Sequence, residues 1–582
     1  MRPLILIRKL SKYTFGYRAK LLCVVVMEAL DLVLELIQPL VWGYIITDIC
    51  QLHFDNIKMY LIVVLSISSV QIVIKFGKEY LAKIINEGIE KDVRVDVYSK
   101  VLNLPMIAFD EMGEGDVLDR LEGDVITISS IFTSQLLQVV VNIVKAILIG
   151  VVVFRINWIL AIIIVAFLPL TYFVMKSFGK MINKQDEGLR ENTDKYYSYV
   201  QNTIKSIRDI KSLGLKIRNA KAFDCLIEMN KNMQVRLGKI MAAMNGAVGI
   251  LSFISQISIL IAGIVLIQAG MLKVELFIAI VSYSGMLSVA LMTIAQINPD
   301  LQEAVVSGNR IYQVLDEMDY EQEKFGNAMI RKTDNRIEFR NVSFSYKDGF
   351  ALNNISFVLD GYGKYVFCGE SGSGKSTILN LLLKLYKPDF GTIELNGENI
   401  DNLSEKELRN YISIVSQEPF LFNIDIYSNL ILNNTRISLE EVKEVCTKVN
   451  INDFIESLPN GYKTVLNNSG EDFSVGQKQR MAIARSIIAK SKVIVFDEST
   501  TGLDGESKAT ILDVINELKK DHILIVVDHR MTGIKDADCI VVIKDGEVQM
   551  CGKHEKLLLD SKEYRKMFKI ETSLPKKDVA LR

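Results

Sequence analysis

Long apolar runs dominate the first three hundred residues. They lie at about Leu21 to Ile46, Met59 to Gly77, Ile131 to Phe154, Trp158 to Met175, Gly246 to Gly270 and Val274 to Gln296. A bilayer core takes about 20 mainly apolar residues per helix, and Met241 to Leu272 holds no Asp, Glu, Lys or Arg, so the pattern predicts six membrane-spanning helices. Between Asp316 and Arg336 the chain turns polar, and from Ile337 the apolar runs become short and strand-like. Lys364 to Cys368 reads as a buried strand. Ser376 to Tyr386 reads as a helix whose apolar residues include Ile378, Leu379, Leu382 and Leu385. The expected organisation is therefore a membrane domain over 1–315, a linker over 316–336, a mixed α/β domain over 337–572 and a polar tail over 573–582.

Composition is an average over these unlike halves. The 582 residues are 49% hydrophobic and 24% charged, with a mean hydropathy of +0.23. A net charge of -1 supplies no basic excess, so nucleic acid is not expected as a partner. Only 9 Pro and 35 Gly exclude a low-complexity or collagen-like chain. Seven scattered cysteines without CxxC spacing read as free thiols in or beside a reducing compartment. No short apolar core ends at a small-residue cleavage site, so signal-peptide removal is not expected.

Charge then orients the membrane half. Lys and Arg crowd the segment before Leu21 and the segment from Met175 to Lys239, whereas Thr47 to Lys58, Arg155 to Asn157 and Met271 to Lys273 carry about one each. Cytoplasmic loops keep such residues, so both termini and the α/β domain are expected in the cytoplasm, beneath a multi-pass inner or plasma membrane. The connections Lys78 to Ser130 and Lys176 to Ile240 are too long for ordinary joints and suggest helices that continue past the bilayer. Leu4 to Leu10 suggests an amphipathic helix on the membrane surface. In the first span, Glu28, Asp31, Glu35 and Gln38 recur at one helical face. Charge at that depth costs at least about 2.5 kcal/mol per residue, so this stripe pairs within the bundle, with Lys145 as one partner, or lies in a cytosolic extension of the helix, or lines a cavity for a cationic or peptide substrate.

The α/β half carries the chemistry. Gly369-Glu370-Ser371-Gly372-Ser373-Gly374-Lys375-Ser376 matches GxxxxGK[ST] between a strand and a helix. Glycines there let backbone N–H groups close around phosphates, Lys375 reaches the β/γ-phosphates, Ser376 binds Mg²⁺, and Thr377 continues the same turn. Val493 to Phe496 is an apolar strand ending in Asp497-Glu498. With a phosphate loop present, Asp497 is the expected Mg²⁺ holder and Glu498 the base for an attacking water.

In this order the motifs resemble the ATP-binding cassette (ABC) exporters of the half-transporter type, over nearly the whole chain. Tyr346 matches the aromatic residue that stacks on adenine. Gln417, in Val415-Ser416-Gln417-Glu418-Pro419, matches the glutamine that senses Mg²⁺ and the attacking water. Phe473-Ser474-Val475-Gly476-Gln477 matches the signature loop. Thr501-Gly502-Leu503-Asp504 matches the loop that crosses the dimer interface, and His529 the γ-phosphate histidine. Phe109-Asp110, Gly115-Asp116 and Arg120-Leu121 resemble the first cytoplasmic loop. The signature departs from the commoner LSGGQ, with Phe473 for Leu and Val475 for the first Gly.

The resemblance implies an all-α six-helix transmembrane domain followed by an α/β P-loop ATPase domain. Its cofactors would be ATP and Mg²⁺, and its catalytic residues Glu498, His529 and Gln417. Tyr346, Gly369, Ser371, Gly372, Gly374, Lys375, Ser376, Thr377, Ser474, Gly476, Gln477 and Asp504 would hold nucleotide. Because the signature loop completes the site in trans, a second half-transporter chain is the implied partner, with a homodimer favoured and a heterodimer the alternative. Membrane lipid would surround it, and a small molecule or peptide would be exported. A lipid flippase and a regulatory ATP-binding subunit are the competing readings.

Overall fold

The computed structural model describes residues 3–131, 135–316, 322–331, 335–347, 349, 351–432, 434, 436–467, 473–497, 505–527 and 534–567. The chain divides into two compact units, Met1–Asn103 with Met112–Glu321, and Leu104–Glu111 with Gln322–Arg582.

The first unit is helical: α1 (Pro3–Thr14), α2 (Arg18–Cys50), α3 (Ile57–Val101), the part of α4 (Met106–Asp119) from Met112 onward, α5 (Val125–Ser130), α6 (Leu136–Ile156), α7 (Trp158–Lys205), α8 (Ile207–Ser212), α9 (Lys216–Gln268) and α10 (Val274–Leu315). Among the described residues five helices are long and apolar enough to cross a membrane: α3, α6, α7, α9 and the Val274–Ile294 part of α10. The sixth expected span lies in α2, which has 33 residues but is interrupted by Glu28, Asp31 and Glu35. At 1.5 Å per residue, α3 (45 residues), α7 (48) and α9 (53) are about 68 to 80 Å long against a bilayer core of about 30 Å, so each extends well beyond its apolar run.

The bundle pairs α2 with α3 and α7 with α9, while α10 packs on α2 and α6. Its apolar core includes Ile149, Leu160, Ile164, Ile259, Tyr283 and Leu287. Close approach of α2 and α10 depends on Gly43, where an added Cβ would run into the Glu275 carbonyl. The α6–α7 turn is tight because the Asn157 side chain accepts hydrogen bonds from the Ile159 and Leu160 N–H groups, at 3.0 and 3.2 Å, and so caps α7.

The acidic face of α2 is paired within the bundle. Lys78 of α3 stands 2.9 Å from Glu28 and 3.4 Å from Asp31, and Lys145 of α6 pairs with Glu35. Leu6 and Leu10, in the Leu4 to Leu10 stretch expected to lie on the membrane surface, are buried, as is Tyr13, with α1 packed on α3 and α10. Tyr13 donates to Asp96 at 2.8 Å, and Lys9 pairs with Asp316. Spacing of three and four residues puts these apolar side chains on one helix face, but periodicity alone does not say whether protein or lipid covers it. Around α4, Arg310 bonds Asp116, Arg120 bonds Asp116 at 3.1 Å, and Arg94 bridges Glu90 and Glu122 at 2.9 and 2.7 Å. Gly113, at φ 71°, breaks α4 in this region.

The second unit holds two sheets. The strands are β1 (Arg336–Ser345), β2 (Ala351–Asp360), β3 (Gly363–Cys368), β4 (Phe390–Leu395), β5 (Glu398–Asn399), β6 (Ile412–Val415), β7 (Val493–Asp497), β8 (Ile523–Val527), β9 (Cys539–Lys544) and β10 (Glu547–Gly552). One sheet has the order β2-β1-β4-β5 with antiparallel pairing, the other β10-β9-β3-β8-β7-β6. In the second, β9, β3, β8, β7 and β6 are parallel and β10 is antiparallel. Strand alternation sorts the side chains into two cores: Val366, Ile494, Phe496, Leu524 and Val542 face one, and Phe367, Val493, Val495, Ile525 and Val541 the other.

Helices of this unit used below are α11 (Lys375–Leu382), α12 (Glu405–Tyr411), α13 (Ile426–Ile431), α14 (Leu439–Lys448), α15 (Asn452–Ser457), α16 (Val475–Ile488) and α17 (Gly505–Leu518). α11 stops four residues before the expected Tyr386. Lys384 takes a left-handed φ of 54°, and the Leu385 N–H turns back to the Asn380 carbonyl at 2.9 Å, closing the helix end.

Candidate functional site

Parallel strands put their carboxyl ends on one edge of the sheet, which is where ligands bind in α/β folds. Here that edge gathers the loop after β3, the Ser416-Gln417 segment after β6, and Asp497 at the end of β7. The sequence motifs far apart in the chain thus share an edge because β3, β8, β7 and β6 are consecutive neighbours.

The loop after β3 is shaped by glycine. Gly372 and Gly374 have φ of 80° and 106°, which side-chain-bearing residues rarely adopt. At Gly369 a Cβ would collide with the Ile543 carbonyl of β9 and with Ser373 Oγ. Gly546 donates to the Ser373 carbonyl at 3.2 Å, fastening the loop from below. Lys375 is 5% exposed and its Nζ donates to the Gly369 and Glu370 carbonyls at 3.0 and 2.8 Å. The cation is therefore held over the loop by the loop's own backbone. Ser376, exposed in the first turn of α11, and the buried Thr377 follow it. The helix N-terminus adds partial positive charge, so loop, lysine and α11 together form a positively polarised hollow suited to an anion.

The signature segment forms the start of α16. Ser474 Oγ accepts from the Gln477 N–H at 3.2 Å, and Gln477 Oε1 accepts from the Ser474 N–H at 2.8 Å, a reciprocal cap. Both departures from the common signature have a local reason. Phe473 is 8% exposed and meets Phe454 of α15 edge to face at 5.1 Å, so it serves as a core residue. Val475 opens α16 with 57% exposure and is not among the positive-φ residues, so its backbone does not require glycine. Gly476 follows it in the same first turn.

Two residues missed in the sequence tie α16 to the glutamine segment. Asn429 of α13 is fully buried; its side-chain amide accepts from the Phe422 N–H and donates to the Phe422 and Ile424 carbonyls, at 2.9, 2.9 and 3.2 Å. Arg485 of α16 reaches the Asn429 and Phe420 carbonyls at 2.9 and 3.1 Å. Burial lowers the proton affinity of its guanidinium. An Asn directly before Leu-Ile and an Arg inside an apolar helix were the available signals.

Tyr346 follows β1, half-buried against Phe344 and Tyr386. Glu498, Asp504 and His529 lie outside the described residues. The donors expected for Mg²⁺, the Ser376 hydroxyl, the Gln417 amide and the Asp497 carboxylate, are hard oxygen ligands of the kind that ion takes. Of the expected substrate residues, Glu28, Asp31 and Glu35 share the paired face of α2 described above.

Comparison with known proteins agrees with this arrangement. The family description "ABC transporter transmembrane region" matches residues 21–291, and "ABC transporter" matches residues 352–501. An ATP-dependent lipid A-core flippase of Albidiferax ferrireducens is 30% identical over 508 residues, covering 86% of this chain and 87% of the relative. The multidrug resistance-like ATP-binding protein MdlB of Buchnera aphidicola is 26% identical over 576 residues, covering 97% and 98%. A solved bacterial Atm1-family ABC exporter with ATP bound has the same fold, with a TM-score of 0.83 over 96% of this chain and 99% of that one at 19% identity. The chain belongs to the ABC exporters: it is a multi-pass half-transporter in which a membrane domain is fused to an ATP-binding, ATP-hydrolysing cassette.

Proposed function

We propose that two copies of this chain pair and drive export of a cationic or peptide substrate across the cytoplasmic membrane, with termini and cassettes in the cytoplasm. The observation that supports the ATP-driven part is the shared sheet edge, along which the Gly369–Ser376 loop, Gln417 and Asp497 follow the ends of β3, β6 and β7. The loop N–H groups and Lys375 bind the phosphates. Tyr346 stacks on the base, while Ser376, Gln417 and Asp497 hold Mg²⁺, which neutralises phosphate charge. Glu498 takes the proton of the attacking water, and His529 contacts the γ-phosphate. Ser474, Gly476 and Gln477 of one protomer, with Asp504, complete the site of its partner. Closure of the two cassettes then changes which side of the membrane the cavity opens to.

Support for the substrate class is the face of α2. Three carboxylates there meet two lysines, leaving one carboxylate per chain in excess. A lipid substrate is the second reading, favoured by the 30% identity to a lipid A-core flippase. Glu498→Gln is expected to retain ATP binding and lose turnover; unchanged ATPase activity would sink the catalytic assignment. Neutralising Glu28, Asp31 and Glu35 together is expected to abolish stimulation of the ATPase by cationic peptides in liposomes. Stimulation by lipid in its place would carry the second reading.

A further inference from the structure

Three rings meet where β1 ends. Phe344, Tyr346 and Tyr386 contact one another edge to face: the centroids are 4.8 Å apart for Phe344 and Tyr346, 5.3 Å for Tyr346 and Tyr386, and 5.6 Å for Phe344 and Tyr386. Phe344 is 5% exposed and anchors the group in the core beneath the sheet. Tyr386 follows the end of α11, the helix whose first residues are Lys375 and Ser376. Tyr386 therefore touches the ring expected beneath the base and lies on the chain segment that leaves the loop after β3.

The hydroxyl of Tyr386 points the other way. It donates to the Asp110 carboxylate, and beside it Lys347, next to Tyr346 in sequence, pairs with Glu111. Both acids belong to the Leu104–Glu111 segment, which clusters with the cassette and begins three residues beyond the end of α3. Leu104 and Ala108 of that segment are buried. Burial, then the hydrogen bond to Asp110 and the charge of that carboxylate, push the Tyr386 phenol upward, so it remains a donor throughout the physiological range.

We propose that Tyr386 is a positioning residue that links occupancy of the base site at Tyr346 to the 104–111 segment through its ring on one side and its hydroxyl on the other. The inference rests on the reading of Tyr346 as the base-stacking residue. A base that settles on Tyr346 constrains the Tyr346 ring, which constrains Tyr386, which holds Asp110. The purine base then informs this segment independently of the triphosphate, and a triphosphate without a base does not.

The test measures hydrogen exchange of residues 104–111 in the full-length protein in lipid nanodiscs, with no ligand, with AMP-PNP and with inorganic tripolyphosphate, each with Mg²⁺. In the wild type AMP-PNP is expected to slow exchange by about fivefold, the worth of one hydrogen bond, and tripolyphosphate by less than about twofold. Tyr386→Phe keeps the ring and is expected to lose the AMP-PNP response. Asp110→Ala removes the acceptor from the other side and is expected to lose it too, with the KM for ATP unchanged. A full AMP-PNP response in either variant, or an equal response to tripolyphosphate in the wild type, overturns the proposal. Tyr346→Ala is the separate control: a KM for ATP unchanged in that variant removes the base-stacking reading itself, whatever Tyr386 does.

Discussion

Asn429→Ala should release the segment that carries Gln417. The Asn429 side chain makes three short hydrogen bonds to the backbone of Phe422 and Ile424, in a fully buried position. At about 1 kcal/mol net for each, the loss is about 3 kcal/mol, and orphaned backbone groups raise rather than lower that figure. With about 1.4 kcal/mol for each factor of ten, opening of residues 420–426 becomes about 10²-fold more frequent. Hydrogen exchange of the purified full-length protein reads this directly, with α14 as an internal reference. Turnover of ATP should fall by about tenfold, because Gln417 lies three residues from Phe420 and loses its fixed approach. Exchange at 420–426 equal to the wild type would show that the surrounding chain, not Asn429, holds the segment.

Other outcomes test separate parts of the molecule. Gly369→Ala places a methyl group against the Ile543 carbonyl and Ser373 Oγ; the resulting strain of about 1 to 3 kcal/mol should weaken ATP-analogue binding at least tenfold by titration calorimetry. Lys145→Met alone should lower the melting temperature by leaving Glu35 unpaired within the bundle, whereas Lys145→Met with Glu35→Met should recover most of it; additive losses would contradict the pairing. Burial lowers the pKa of His522 from its ordinary 6.5. The unfolded chain then binds more protons than the fold, so stability is full above about pH 6.5 and declines as the pH falls through that value. His522→Gln should flatten that decline in thermal melts taken between about pH 5 and 8.

Much of this architecture is legible in the chain because the signals are local. A lysine and serine after four residues and a glycine, between an apolar strand and a helix, carry their own context, and β3 and α11 lie where periodicity puts them apart from the last turn. That last turn is decided by Lys384 in a left-handed conformation, which periodicity does not register. Partners separated by long stretches of sequence are harder to read. Lys145 was identifiable as a mate for the acidic stripe because it is a lone charge in an apolar run. Lys78 was not, because it sits at the end of one. Asn429 and Arg485 acquire their roles only when α13 and α16 pack together, since their targets are backbone atoms that no residue pattern marks.

The pairing of α2 bears on how the protein is made. A helix that presents three carboxylates to lipid is a poor substrate for insertion by itself, and each unpaired charge opposes partition by about 2.5 kcal/mol or more. Lys78 comes within reach as soon as α3 has been synthesised, since only a short turn separates the two helices, so α2 and α3 are suited to enter the bilayer as one hairpin. Glu35 must wait for Lys145, more than a hundred residues later in the chain. Until α6 emerges the nascent membrane domain carries an unmatched acid, which makes that interval the stage of biogenesis at which chaperoning or quality control has most to act upon.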